Sequence, residues 1–426
     1  MPLQQLIRAS EPAHTPAPEL NFDYDITIVG AGIAGTTLAA GLKNSGLKVA
    51  LIEAQPQAVA ASRQQVYAIT LLSGKIFQGL GIWEKIRANI TAFSQINLSD
   101  TGIEGVVFNP SDLGRDELGY AGEHGAILPM LQEFLNDCPN VTWLCPAELV
   151  SVDYQSDFVE LEVKVAGDGD NQPASHQRIR TRLLVAADGT RSRIRNDAGI
   201  PTHGWKYWQS CITTRVKPEK PHNNVAYERF WPSGPFAILP LPGNRCNIVW
   251  TAPHEEAKAL LELDDEQFLA ELRRKYGDHM GHLELEGKRF MFQVQLMQSN
   301  RYVQPRLALI GDAAHCCHPV GGQGLNLGIR DAAAIAQVLQ DAHKNGEDIG
   351  SLPVLQRYQR WRKRENLAIL GFTDILDRLF SNNWLPIVFV RRLGLWTLRK
   401  VQPVKVFALR LMTGLLGRTP QIAQRL

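Results

Sequence analysis

The sequence predicts an α/β fold with a parallel-sheet domain, a separate antiparallel sheet and a helical C-terminal region. Three patterns support this class. Residues 26–53 read as strand, glycine turn, helix and strand, which is a βαβ unit. Residues 209–251 are strand-rich and are broken by prolines and glycines, as is typical of an antiparallel sheet. Beyond Arg330 most of the chain has helical apolar spacing.

The first βαβ unit contains a glycine turn with a defined role for each glycine. Gly30 permits the tight turn, Gly32 lets the backbone approach a pyrophosphate, and Gly35 allows close packing of helix on strand. The helix N-terminus then directs its unpaired N–H groups at the phosphates. Glu53 ends the second strand, where an acid can hydrogen-bond an adenosine ribose without a 2′-phosphate. The unit therefore predicts a Rossmann-like site for FAD or NAD.

Further elements follow in order. A helix is predicted over residues 127–135, with Pro129 in its first turn. Residues 149–165 have the alternation of a hairpin, and a buried strand over residues 183–187 runs into an Asp-Gly turn. Residues 265–276 have helical spacing within the strand-rich block.

These boundaries divide the chain into four parts. They are a flexible N-terminal tail (residues 1–22), a discontinuous cofactor domain (23–200 and 296–345), a substrate-binding sheet region (201–295) and a helical C-terminal region (346–426).

Composition narrows the class of protein. The 426 residues are enough for two domains, and a formal net charge of +2 with no basic run argues against a nucleic-acid partner. The six cysteines are scattered and the N-terminus has no apolar segment of a signal peptide, so we expect reduced thiols and a cytoplasmic protein. No apolar run reaches the length of a transmembrane helix.

Two later segments point to one particular dinucleotide. Asp188-Gly189 follows a buried strand and by itself is equally compatible with a β-turn beside solvated arginines. Residues 307–331 read as a strand, an acid, a glycine bend and a helix, with Gly311-Asp312 at the end of the strand. There Asp312 can accept a hydrogen bond from a ribityl hydroxyl. The helix beginning near Gly324 can direct its N-terminus at negative charge on a flavin ring. FAD is therefore the expected cofactor.

Three motifs occur in a fixed order: GxGxxG from Gly30, DGxxSxxR from Asp188, and GDAAHxxHPxxGQGxNLGxRD from Gly311. Together they resemble the flavoprotein monooxygenases of the p-hydroxybenzoate hydroxylase-like superfamily. The third motif, residues 228–240 and residues 67–83 are most similar to its ubiquinone-biosynthesis hydroxylase branch. The resemblance covers roughly residues 23–415.

The resemblance implies a set of FAD-binding residues. The ADP half would be held at the first turn and the second strand. The cleft and ribityl chain would meet the Asp188-Gly189 and Gly311-Asp312 turns, and the flavin would meet the last glycine bend. In that order they are Gly30, Gly32, Ala34, Gly35 and Glu53; Asp188, Gly189, Gly311 and Asp312; and Pro319, Gly322, Gln323, Gly324, Leu325 and Asn326. The family often has an arginine three positions before Ala68, where this chain has Gln65. Arg63 is the nearby substitute, and both stay candidates for the phosphate contact.

The implied chemistry is hydroxylation. NADH or NADPH would reduce FAD, and O2 would supply one oxygen atom to the ring of a polyprenylated phenol or quinone precursor of ubiquinone or plastoquinone type. Because the cofactor performs the reaction, no catalytic residue is assigned beyond His318 and Pro319 near the ring. Two alternatives stay open: an FAD-dependent reductase of isoprenoid double bonds, and a non-catalytic flavin-bound component of a quinone-biosynthesis complex.

Other residues carry weaker hypotheses. Residues 315–318, His-Cys-Cys-His, lack a second ligand pair at zinc spacing, so we predict no metal. His318 is expected to be a hydrogen-bonded structural residue at least as readily as a ring contact. Four residues are candidates for the substrate side of the sheet, although packing is the better explanation for each: Tyr207, Gln209, His222 and Tyr227.

The C-terminal region alternates apolar and basic stretches, with Arg391, Arg392, Arg399 and Lys400 between them. Such a pattern is compatible with peripheral contact with a membrane. It is equally compatible with helices that cover the cofactor domain.

Overall fold

The computed structural model describes residues 21–100, 105–167 and 174–424, so the tail predicted over residues 1–22 lies almost wholly outside it. The strands are β1 Tyr24–Val29, β2 Val49–Ile52, β3 Val66–Ile69, β4 Thr91–Ala92, β5 Gln95–Asp100, β6 Val106–Phe108, β7 Tyr120–Glu123, β8 Val141–Leu144, β9 Ala147–Tyr154, β10 Val159–Val165, β11 Ser175–Ala186, β12 Thr202–Pro218, β13 Val225–Trp231, β14 Gly234–Leu241, β15 Arg245–Pro253, β16 Leu283–Leu285, β17 Phe290–Ser299, β18 Val303–Gln304, β19 Leu307–Leu309 and β20 His315–Cys316. The helices are α1 Ile33–Gly41, α2 Gln57–Ala61, α3 Leu71–Leu80, α4 Trp83–Arg87, α5 His124–Asn136, α6 Arg193–Asp197, α7 His254–Glu262, α8 Asp265–Tyr276, α9 Gly324–Lys344, α10 Leu352–Phe380, α11 Leu385–Lys400 and α12 Gln402–Met412.

The first sheet has the order β18-β19-β11-β1-β2-β8, and its central strands run parallel. These strands are short and nearly continuous in apolar residues, because both faces of the sheet are covered. Strands β9 and β10 extend it as an antiparallel meander on the first half of β11. The carboxyl ends of β1, β2, β11 and β19 therefore meet at one edge, where ligands bind in sheets of this kind.

The second sheet has the order β20-β17-β12-β15-β14-β13-β5-β6, with β16 beside β12. Its pairs are antiparallel except for β5 with β13. One face packs on α7 and α8 through a core that includes Ile248, Trp250 and Phe268. Strands β5 and β6 join this sheet although their residues lie within the 23–200 range.

A third sheet, β3-β7-β4, is formed by strands that are interleaved along the chain with those of the other two sheets. Helix α10 packs along α9, and α11 and α12 complete the C-terminal region. The predicted fold class, a parallel-sheet domain with an antiparallel sheet and C-terminal helices, is confirmed. Within the described residues no helix is both long and apolar enough to cross a membrane.

Helix α5 begins three residues earlier than predicted. The buried His124 fixes its start, because the backbone N–H of His124 donates to Gln65 O at 2.8 Å and its ring bridges Ala60 O and the Tyr67 hydroxyl. Pro129 therefore lies inside the helix rather than in its first turn. The prediction for Pro129 was wrong because the helix start depends on residues far away in the sequence.

Candidate active site

The first glycine turn is closed by direct backbone packing. Gly30 has φ +101°, and a Cβ atom there would lie 2.4 Å from Ala187 O. A Cβ atom on Gly35 would lie 2.0 Å from Gly30 O. At Gly32, by contrast, a Cβ atom would meet nothing within 4 Å. Gly30 and Gly35 are therefore required for packing, whereas Gly32 leaves open space at the N-terminus of α1.

Glu53 stabilises this turn from the end of β2. Its Oε2 accepts the Ala31 N–H at 2.9 Å, and its Oε1 accepts the Gln55 N–H at 3.1 Å. A carboxylate has about four acceptor positions, so two remain for a ribose.

A cleft of about 330 Å³ opens beside the turn. Its described lining brings together several predicted residues from distant parts of the chain: Gly30, Gly32, Glu53, Arg63, Asp188 and Gly189. Gln65 is not part of that lining. Of the two candidate phosphate contacts, only Arg63 borders the cleft.

Asp188 tests whether this cleft fits a dinucleotide. Its Oδ2 accepts the Ile194 N–H at 3.4 Å, while its buried Oδ1 has no hydrogen-bond partner among the described residues. Burial also raises the pKa of this carboxyl group, against the hydrogen bonds from Ser192 and the nearby backbone. A buried acceptor without a donor is costly, and a ribose or ribityl hydroxyl would supply one. The open Gly32 cradle and the unpaired Asp188 oxygen thus both fit FAD.

Arg195 connects the segment after Asp188-Gly189 to the segment after Gly311-Asp312. Its Nη1 donates to Thr190 O and to Ala313 O, each at 3.1 Å. Thr190 Oγ1 in turn donates to Asp312 Oδ2 at 3.4 Å. The Asp312 side chain is partly open to solvent. The protein atoms around its carboxyl group nevertheless reduce its hydration, and this desolvation raises its pKa.

Ala34 and Gly311 connect the first turn to the third motif. A Cβ atom on Gly311 would lie 3.5 Å from the Ala34 Cβ and 3.6 Å from Gly328 Cα. Gly311 has φ +58°, which favours glycine. The small residues therefore allow the Asp312 turn to approach α1.

Asp331 was not predicted, and it organises the third motif. Its fully buried carboxylate accepts hydrogen bonds from Gly311 N at 3.1 Å and His315 Nε2 at 2.6 Å. It also accepts from Arg362 Nε at 2.8 Å and Asn366 Nδ2 at 3.0 Å. Burial alone would raise the pKa, but His315 and Arg362 outweigh it and hold the pKa at about 2. The available signal was an acid that directly precedes the apolar run of residues 332–336 in helix α9.

The last glycine bend is shaped by residues from elsewhere in the chain. Gly321 has φ +68° and Gly322 has φ +60°. A Cβ atom on Gly322 would lie 2.7 Å from the Ala68 Cβ. Asn326 Nδ2 donates to Ala68 O and to Gly322 O, each at 2.7 Å, and its Oδ1 accepts the Thr70 N–H at 2.8 Å.

The bend presents only some of its predicted residues to open space. A Cβ atom on Gly324, the first residue of α9, would meet nothing within 4 Å. Gln323 is buried, and its Nε2 donates to Gly321 O and Met412 O. Leu325 is half-buried and packs against the core of the first sheet. The N-terminus of a 21-residue helix is therefore accessible at Gly324, while the Gln323 side chain turns into the protein.

His318 is completely buried, and Pro319 beside it is half-buried at the start of the bend. The His318 Nδ1 accepts the Val320 N–H at 3.2 Å. Its Nε2 lies 3.4 Å from Asp377 Oδ1, without the geometry of a hydrogen bond. Burial lowers the pKa of His318 to about 3, so the ring is neutral at physiological pH. The structure places His318 in a supporting position behind the bend.

Three of the four candidates for the substrate side lie on the second sheet and are divided between its two faces, whereas His222 lies in the loop between β12 and β13. The Tyr207 hydroxyl donates to Asp374 Oδ1 at 2.6 Å, and its ring meets the His318 ring edge-on. Gln209 Nε2 donates to Ser233 O and Ser381 Oγ. His222 Nε2 lies 3.0 Å from Leu241 O. Tyr227 packs on the core shared with α7 and α8, away from the bend.

Residues 315–318 do not converge on a metal. His315 binds Asp331, His318 is enclosed, and burial raises the pKa of the Cys316 thiol to about 12. Within the described ranges no group of three His, Cys, Asp or Glu side chains could hold an ion.

Comparisons with known proteins agree with this arrangement. The family described as FAD binding domain matches residues 23–370. An uncharacterized protein of Synechocystis is 53% identical and covers 94% of this chain and 95% of its own length. The ubiquinone hydroxylase of Rhodospirillum rubrum is 37% identical, over 93% of this chain and 91% of its own length. The solved p-nitrophenol 4-monooxygenase of Pseudomonas putida has a TM-score of 0.76 at 18% identity, covering 93% of this chain and 98% of that one.

Proposed function

This chain belongs to the FAD-binding-domain family and is an FAD-dependent monooxygenase. From that membership we propose that it uses NADH or NADPH and O2 to hydroxylate a polyprenylated phenol or quinone precursor of ubiquinone or a related quinone. The observation that carries the substrate class is the similarity, over more than nine-tenths of both chains, to a ubiquinone hydroxylase.

The residues have distinct roles in this proposal. FAD, when bound, supplies hydride acceptance and oxygen transfer. The turn at Gly32 and the side chains of Glu53 and Arg63 hold the ADP half. Asp188 and Asp312 bind hydroxyl groups of the connecting chain. The N-terminus of α9 at Gly324 stabilises negative charge on the flavin, as helix N-termini do for anions.

The second sheet forms the other wall of the site. One face of β12 to β15 meets the glycine bend, through Phe230 with Val320 and Tyr207 with His318, while the opposite face is covered by α7 and α8. A ring held between the sheet and the bend would be shielded from water, which protects a reactive oxygen donor.

Turnover of the purified protein tests the proposal. We expect a yellow protein with one FAD per chain, and oxidation of NADH or NADPH that is stimulated by a prenylated phenol and consumes O2. With ¹⁸O2, the product should gain one labelled oxygen atom in mass spectrometry. An isoprenoid reductase would instead saturate a double bond without O2. A non-catalytic component would bind FAD yet show no substrate-stimulated oxidation. Either result would contradict the proposal.

We also propose that the protein is cytoplasmic and binds peripherally to a membrane surface through α11 and α12. Residues 378–426 contain nine Lys or Arg and no Asp or Glu. The outward side of α11 is apolar: Leu385 is 79% exposed, Phe389 68% and Trp396 56%. Its inward side holds Arg391, whose Nε donates to the buried Asp100 at 2.8 Å. An exposed apolar stripe beside cations favours an anionic bilayer.

Flotation with vesicles tests this contact. Vesicles of phosphatidylcholine and phosphatidylglycerol should carry the protein upward, whereas pure phosphatidylcholine should carry less of it. The double substitution Phe389→Ser with Trp396→Ser should abolish flotation and leave folding intact, since both side chains are exposed. Equal flotation of the parent protein and the double variant, or no flotation of the parent protein, would contradict this proposal.

A further inference from the structure

The face of the second sheet that looks toward the glycine bend contains a row of half-buried side chains. Thr213 pairs with Val249, Val249 with Ala237, and Ala237 with Glu228. Directly paired residues project from the same face of a sheet, so these four side chains form one line across β12, β15, β14 and β13. Their partial exposure shows that this face is less tightly covered than the opposite one.

Glu228 is the single acid of that row. Alternation along β13 sets Glu228 on the side of Ala226 and Phe230, both of which pack in one cluster with Val320 of the bend. The backbone N–H of Gly321 faces the Glu228 carboxylate. Glu228 thus lies between the sheet and the loop that carries the flavin-binding glycines.

No cation within the described ranges forms an ion pair with Glu228. The adjacent Arg229 belongs to the other face, where its Nη1 donates to Lys275 O and Tyr276 O. An unpaired carboxylate in an apolar setting is costly to folding, and such groups cluster at functional sites. Burial raises the pKa of Glu228 to about 8, against the opposing effect of the Gly321 N–H.

The other titratable groups around this face are buried, neutral or already paired. The Cys211 thiol on β12 is buried, and the charge of Glu228 helps to raise its pKa. Asp100 on β5 pairs in register with Phe230 and is bound to Arg391. His318 on the bend is neutral because burial lowers its pKa. Asp377 on α10 also has a pKa raised by burial, but it accepts a hydrogen bond from the Ser381 hydroxyl and lies behind Gln209. Glu228 is therefore the acid of the half-buried row that is suited to accept a proton near neutral pH.

We propose that Glu228 accepts the proton of the substrate's ring hydroxyl. This inference rests on the proposed function, because it requires a phenolic ring against the sheet. The O–H bond of the ring breaks, and a new O–H bond forms on a Glu228 oxygen. The electron pair stays on the ring oxygen, and nothing is oxidised or reduced. The phenolate is richer in electrons than the phenol, and the proton returns when the product regains its hydroxyl.

The match of acidities supports this role. A phenol has a pKa near about 10 and an ordinary Glu about 4.3, so an ordinary carboxylate is a weak acceptor. A carboxyl group whose pKa is about 8 accepts the proton far more readily. An apolar setting that would otherwise destabilise the protein thus becomes useful for the reaction.

The first measurement is made without turnover. The probe is 4-nitrophenol, whose phenolate form absorbs in the visible range. Bound to the FAD-loaded parent protein, it should ionise at a pH at least about one unit lower than when bound to Glu228→Gln. Glu284→Gln, which changes an exposed carboxylate on the same sheet, should behave as the parent does. Equal ionisation in the parent and Glu228→Gln, or no binding of the phenol by the parent, would overturn the proposal.

The second measurement follows product formation. Because Glu228 must be deprotonated to act, the hydroxylation rate of the parent should rise with pH through about 8. Glu228→Gln should bind FAD normally, lose about tenfold to a hundredfold in product formation and lose this pH dependence. A substrate analogue with a more acidic ring hydroxyl should restore its rate. Loss of FAD from Glu228→Gln, or an unchanged pH profile, would contradict the proposal.

The two measurements separate two kinds of failure. If the parent ionises bound 4-nitrophenol but hydroxylates no phenol, the proposed function fails and the role of Glu228 as a proton acceptor stands. If the parent hydroxylates a phenol and Glu228→Gln does so equally well, the function stands and the role of Glu228 fails.

Discussion

The two glycine turns of the cofactor site are built in different ways. At the first turn, Gly30 and Gly35 face backbone atoms of Ala187 and Gly30, which cannot move without displacing β11 or α1. At the last bend, Gly321 and Gly322 face the side chains of Met412 and Ala68. Both turns lead into a helix N-terminus that borders open space, at Gly32 and at Gly324.

The difference shows where each turn obtains its shape. The first turn is mostly local, because its helix, strands and capping acid all lie within residues 24–53, and Ala187, just after β11, packs against Gly30 from outside this segment. The last bend depends on α3, α10 and α12 through Asn326, Asp331 and Gln323. We therefore expect substitutions at the first turn to act on folding or on FAD separately. Substitutions at the last bend should affect both together.

The largest effect is expected at Gly35. In Gly35→Ala the new Cβ would overlap Gly30 O, and we expect a loss of about 3 kcal/mol or more in the free energy of unfolding. Gly32→Ala is the matched control, since its φ of −69° suits any residue and its Cβ meets no protein atom. Its apoprotein should unfold like the parent. Its FAD affinity should fall about tenfold or more, because the methyl group enters the phosphate cradle. Denaturant unfolding and FAD titration distinguish the two effects.

Asp331 is expected to have the next largest effect, at the other end of the site. Asp331→Asn would remove the fully buried one of the two carboxylates that pair with Arg362 and leave only Glu365, at a cost of about 3 kcal/mol. The depressed pKa of Asp331 implies stability that is present above pH about 4 and lost as the pH falls toward about 2. Between pH 2 and 6, the free energy of unfolding should therefore change less with pH in Asp331→Asn than in the parent protein. An equal slope would argue that Asp331 does not carry this acid sensitivity.

Substitutions at Gly322 and Ala68 test how far the last bend depends on its neighbours. Gly322→Ala combines a left-handed backbone with a close Ala68 Cβ, and we expect it to lose about 1–3 kcal/mol. Adding Ala68→Gly removes the contact but not the backbone strain. The double variant should lose less free energy of unfolding than the sum of the losses in the two single variants. A strictly additive result in the double-mutant cycle would mean that Ala68 does not shape the bend.

The sequence predicted the parts of the molecule whose contacts are local. The βαβ unit depends on residues within one short segment, so its pattern is visible in the chain itself. Asp331 is held by His315, 16 residues away, and by Arg362, 31 residues away, and nothing in the chain specifies those partners. Strand β5 likewise joins the second sheet through β13, about 130 residues later. Residues such as these become visible only once the fold brings them together.

The smallest expected effect concerns the phosphate contact at the first turn. Arg63 borders the cleft but is exposed, so Arg63→Ala should weaken FAD binding only about fivefold, or about 1 kcal/mol. The effect should shrink as salt is added, because salt screens an exposed charge. Gln65→Ala is the control and should bind FAD as the parent does. A loss confined to Gln65→Ala would assign the contact to Gln65, and equal losses in the two variants would show that both side chains contribute.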